Sequence, residues 1–126
     1  MNKADTIELK IPARLEYVRL TRLVISGIAT QADFSLDEIE DVRIAVDELC
    51  ATLIDQSAEG ADLIVTFTLA GATLRCRAAV ETHAPLVELD ELSQHMLAET
   101  VDDYQLTRHG ELAVATMEKT RAATSA

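Results

Sequence analysis

The chain has 126 residues, 48% of them hydrophobic, with 11 basic against 22 acidic side chains and a formal charge of -11. That length suits one domain, residues 1–126, whose single core needs neither metal nor disulfide. The charge would repel a phosphate backbone, which argues against direct nucleic-acid binding. No apolar run approaches the roughly 18 residues of a spanning helix, and MNKADTIELK has no apolar signal core, so a cytoplasmic protein with no membrane partner is expected. Cys50 and Cys76 form no CxxC and have no histidine cluster nearby; they read as buried thiols rather than a metal site or a disulfide.

Along the chain, Ile7, Leu9 and Ile11 alternate with Thr6, Glu8 and Lys10, the pattern of a half-buried strand that Pro12 ends. Leu15 to about Gln31 reads as a helix burying Leu15, Val18, Ile25 and Ile28, with Glu16, Arg19 and Arg22 more polar. After a short ADF link, Ser35 and Glu38 fit a capping box, and Phe34 with Ile39 a hydrophobic staple. Ile39, Val42, Val46, Leu49 and Leu53 then lie on one face of a helix running to Ile54. Glu48 lies off that stripe near Asp41 and Ile44, and is either a solvated charge or a site residue.

Gln56 to Gly60 is a polar break. Leu63–Leu69 and Leu74–Val80 alternate on either side of Ala70-Gly71 and predict a hairpin. Thr82–Pro85 is a loop; Leu89, Leu92, Met96 and Val101 suggest a third helix. Two last strands, Tyr104–His109 and Glu111–Met117, meet at His109-Gly110, and the tail 120–126 is expected to fray. The order β-α-α-β-β-α-β-β predicts a two-layer α/β (α+β) sandwich, its mostly antiparallel sheet covered by helices on one face. His83, His95 and His109 are scattered and read as loop or surface residues.

This order, with IELKIPARLEYVRLTRLVISGI and FSLDEIEDVRIAVDELCATLID, resembles the anti-sigma factor serine kinases of the RsbW type, small members of the GHKL ATPase superfamily. The resemblance is specific mainly over residues 7–55. It implies a protein that sequesters an alternative RNA polymerase sigma factor, is released by an anti-anti-sigma protein, can phosphorylate that protein with Mg-ATP, and forms a homodimer. By the same resemblance Glu48 takes the place of the asparagine-box glutamate, a candidate general base. Thr52 takes the place of the magnesium-binding asparagine, and Arg22, extended by Arg19, that of a partner-binding arginine. The stretches RAAVETHAPL and ELSQHMLAE stand where the family has glycine-rich nucleotide boxes, and neither contains a glycine. The resemblance with these departures implies a binder that acts without cofactor. The alternative is a serine/threonine kinase, if the altered site still takes Mg-ATP.

Overall fold

The alternating segments assemble into one five-stranded sheet in the order β1-β2-β3-β5-β4. A computed structural model describes residues 4–123. Its strands are β1 (Asp5–Pro12), β2 (Asp62–Ala70), β3 (Thr73–Glu81), β4 (Asp103–His109) and β5 (Leu112–Thr120). Its helices are α1 (Val18–Gln31), α2 (Leu36–Asp55) and α3 (Glu91–Thr100). The element order is the one the sequence predicts, and every strand pair is antiparallel.

Register decides which side chains face the helices. Val65 pairs with Ala78 and Phe67 with Cys76, while Ala115 and Met117 continue the same rows on β5; all are buried. The neighbouring positions Thr66, Arg75, Arg77 and Thr116 project from the other face and stay at least partly exposed. A one-residue slip would exchange the two sets, so burial of one face fixes the register. Both hairpins close over two-residue turns whose first residue is glycine at φ 62°, Gly71 and Gly110, a conformation that β-carbon crowding denies to most residues.

The join between α1 and α2 takes only four residues. Asp33 adopts φ 62°, its N–H donates to the Thr30 carbonyl at 3.2 Å, and the Phe34 N–H donates to Ala29 at 3.0 Å. This is a Schellman ending, here with aspartate in the left-handed position that glycine usually fills. Phe34, thereby buried, is followed at once by the Ser35 cap. The Glu38 N–H donates to Ser35 Oγ at 3.1 Å and the Ser35 N–H donates to Glu38 Oε1 at 2.8 Å. The capping box predicted from sequence is therefore present, and the Ser35 amide holds the Glu38 carboxyl below its ordinary value. Beyond it Val42, Val46, Leu49 and Leu53 are buried, as their spacing predicts, with Ala45 and Cys50 beside them.

Three expectations change. Leu15 belongs to a 3-10 turn, Leu15–Tyr17, ahead of α1 and is 65% exposed, because the helix proper starts only at Val18. On α3 the buried position is Leu97, whereas Leu92 is 69% exposed. Asp90 caps the helix and sets its rotation so that Ser93, Leu97 and Thr100, at four- and three-residue steps, share the inward side. Of the tail, Thr120 completes β5, the Arg121 N–H donates to Ala72 and the Ala122 N–H donates to Glu38 Oε2. Residues 124–126 lie outside the described residues.

Candidate functional site

Glu48 and Thr52 occupy successive turns of α2, and the structure gives each a nearby partner. Ser93 Oγ donates to Glu48 Oε2 at 2.7 Å, while Thr52 Oγ1 turns back on its own helix to the Glu48 carbonyl at 2.9 Å. Ser93 also donates its backbone N–H to Asp90 Oδ1 at 2.7 Å, a bond that lowers the Asp90 carboxyl below its ordinary value. The head of α3, where a helix dipole and free amides suit an anion, is thus already served by the chain's own carboxylates.

The other end of α3 is tied in the same way. Lys119 Nζ, only slightly exposed, donates to the Thr100 carbonyl at 2.6 Å and to Asp41 Oδ2 at 3.2 Å. Asp41 and Glu48 are two turns apart on one face of α2, and Thr100 and Ser93 are two turns apart on α3. The helices therefore run antiparallel, clipped at both ends. The segment entering α3 is pinned as well. Gln56 clamps both backbone groups of Val87, at 3.2 and 3.1 Å, and the Arg108 guanidinium donates to the carbonyls of Ala84 and Thr82.

Between these elements lies an open pocket of about 540 Å³ lined by Leu15, Glu48, Ala51, Thr52, Ile54, Asp55, Asp90 and Ser93. Its ionisable groups are all acidic. A polyphosphate entering it would meet carboxylates and no basic side chain. The glycines lie elsewhere: Gly27 in α1 and Gly60, Gly71 and Gly110 in turns. The donors that a Mg-nucleotide needs, glycine-loop amides and a cationic side chain, are therefore not those that line this pocket. Among the described residues no three His, Cys, Asp or Glu side chains group as a metal site.

Arg22 and Arg19 lie apart from this pocket, on the outer side of α1. Arg22 Nε stands 3.3 Å from Asp47 Oδ1, an ion pair held by charge without hydrogen-bond alignment, since that oxygen has no hydrogen-bond partner. Burial raises the Asp47 carboxyl above its ordinary value, with Arg22 and then Arg43 opposing the shift. Arg19, Arg22, Leu23, Ser26 and Arg43 line a shallow concavity of about 380 Å³, and Leu23 is 68% exposed. Sequence reasoning missed Arg43, although its place four residues before Asp47 puts both on one side of α2. Of the residues expected to matter, the fold brings together Glu48 with Thr52 and Arg19 with Arg22, and keeps the pairs on separate faces.

The helical layer over an antiparallel sheet is an architecture shared with a solved structure that contains an RsbW domain. In sequence the chain is similar to serine-protein kinases named RsbW. It is 46% identical over 56 residues to the serine-protein kinase RsbW of Bacillus subtilis and 39% identical over 70 residues to that of Halalkalibacterium halodurans. These stretches cover 44% and 55% of this chain and 35% and 43% of the kinases, so the chain spans less than half the length of the curated relatives it matches. The fold agrees with a crystal structure containing the RsbU and RsbW domains of a Mycobacterium tuberculosis protein. That match has a TM-score of 0.77 at 13% identity and covers 96% of this chain and 34% of the other. The chain matches no family model.

Proposed function

We propose that the chain is a cytoplasmic anti-sigma factor that holds an alternative sigma factor on its helical layer and yields it to an anti-anti-sigma protein, acting by stoichiometric binding. The observation that carries this reading is the Glu48–Ser93 bond. The carboxylate that would have to accept a hydroxyl proton in a kinase is engaged by the chain's own serine, in a pocket whose other charges repel phosphate. Binding needs only a folded surface, and Arg19, Arg22 and Arg43 around Leu23 offer forked donors and an apolar anchor to an acidic helix or loop. Asp47 holds Arg22 in place until a partner carboxylate competes for it.

The test pairs co-purification with calorimetry. The chain is expected to retain a sigma factor or an anti-anti-sigma protein, to lose it on Arg22→Glu, and to give no heat with millimolar Mg-ATP. Failure to bind any sigma or anti-anti-sigma candidate with Arg22 intact overturns the reading. Nucleotide binding together with phosphate transfer to the anti-anti-sigma protein would establish the kinase instead.

A further inference from the structure

Strand β4 ends the sheet on the side away from β1 and, among the described residues, pairs only with β5. A two-residue turn closes on a hydrogen-bonded pair, here His109↔Leu112. Such pairs alternate along an antiparallel ladder, so Asp103, Gln105, Thr107 and His109 spend their backbone groups on β5. The N–H and C=O groups of Tyr104 and Leu106 therefore point outward from the sheet. The Asp102 N–H, which donates to the Glu118 carbonyl at 3.0 Å, bounds this edge on one side. Arg108 bounds it on the other, where its guanidinium donates to the carbonyls of Thr82, Ala84 and Gly110.

The same stretch has an unfilled apolar side. Tyr104 and Leu106 continue the buried rows of Met117 and Ala115 toward the helices, yet both stay half-buried because no strand lies beyond them. Between them and the segment leading into α3 runs a groove of about 320 Å³, lined by Glu88, Leu89, Gln94 and residues 104–107. The Tyr104 hydroxyl donates to the Gln94 carbonyl at 3.3 Å and fixes one wall. A strand laid along this edge would turn every second side chain toward the groove.

We infer that the β4 edge receives an extended segment of a partner protein, basic at its ends and apolar at its centre, as an added strand. Charge selects that occupant. Glu88 is the charged side chain of the groove, and the exposed Asp103 stands at its mouth; among the described residues neither forms an ion pair. The nearest cation, Arg108, is spent on carbonyls. A lysine or arginine on the incoming strand thus meets carboxylates, whereas an aspartate or glutamate meets only like charge. A second copy is a poor occupant, because each carries a formal charge of -11. The groove shares no lining residue with the pocket at Glu48 or with the arginine concavity, so the inference stands apart from the anti-sigma reading.

Titration with the peptide Lys-Thr-Val-Ile-Val-Thr-Lys, followed on the backbone amide spectrum of the full chain at low salt, tests it. Saturable shifts are expected at Leu89 and residues 104–107, with slower exchange of the Tyr104 and Leu106 amides. The analogue with glutamate for both lysines should bind at least about tenfold more weakly. Glu88→Lys should weaken the basic peptide by about threefold or more. Leu106→Pro removes an outward N–H, a change that an edge strand tolerates, and should abolish binding while circular dichroism stays native. Should that variant unfold, Glu88→Lys on its exposed segment decides alone. The inference is overturned by the absence of saturable shifts at millimolar peptide, by shifts confined to other faces, or by equal binding of the acidic analogue. Undiminished binding by Glu88→Lys or by folded Leu106→Pro overturns it too. Shifts of the same edge residues with chain concentration alone would assign the edge to a second copy and likewise overturn it.

Discussion

Asp33 and Asp47 are the residues at which the fold accepts a local cost. A left-handed conformation is unfavourable for any residue with a β-carbon, and aspartate only lessens the penalty. Asp33→Gly should raise stability by about 0.5 kcal/mol, measured as a higher urea midpoint with unchanged slope. Asp47 has the opposite interest, because its environment favours the neutral acid. A carboxyl raised in the folded state contributes stability below its unfolded value, 3.8, and loses that contribution as pH rises through the folded value. Asp47→Asn should therefore cost nothing at neutral pH and should flatten the dependence of stability on pH just above that unfolded value. A marked loss of neutral-pH stability in Asp47→Asn would mean that the Arg22 ion pair outweighs burial.

At the scale of elements, α3 is held to α2 by polar clips rather than by a broad apolar stripe, with Leu97 as its fully buried hydrophobic anchor. Removing one clip should loosen this helix and leave the sheet intact. Ser93→Ala is expected to cost about 1 kcal/mol, the worth of a half-buried hydrogen bond to a charged acceptor, with faster amide exchange in α3 and no change in β3. Glu48→Gln keeps an acceptor oxygen for Ser93 and should leave that exchange untouched; a catalytic carboxylate would show itself instead as lost phosphate transfer. These clips explain the limits of the sequence reading. Ser35 and Glu38 are visible from sequence because the capping box closes within three residues. Glu48 and Ser93 are 45 residues apart, and nothing local marks them as partners. Leu15 and Leu92 mislead because a helical stripe says which residues share a face and not which turn the helix starts on. The Schellman ending at Asp33 escapes notice because the sequence puts aspartate where glycine would have signalled it.

In the whole molecule, the core lies between α2 and the middle strands, and both cysteines are inside it. Burial pushes the Cys50 thiol up to about 12 and the Cys76 thiol well above its usual range, so neither is a thiolate at neutral pH. Thiol reagents should therefore label the native protein only as fast as it opens, and labelling should accelerate with urea in step with unfolding. Rapid modification of either cysteine in the native state would show a local opening between α2 and β3. The strand order itself was open to the sequence only in part: each hairpin can be read from its turn, but the pairing of β3 with β5 depends on which apolar faces meet under the helices. Cys76 against Met117 and Ala78 against Ala115 settle that pairing through packing.

That pairing has a consequence for synthesis. The strand made last of the five stands between β3 and β4, so until β5 leaves the ribosome β3 keeps a bare edge and β4 has no neighbour in the sheet. The sheet then gains two strands in one late step, when β5 brings β4 with it as a finished hairpin. During that interval the nascent chain exposes the edge of β3, whose Leu74, Cys76, Ala78 and Val80 are buried in the finished fold, and a chaperone has an opportunity to hold it.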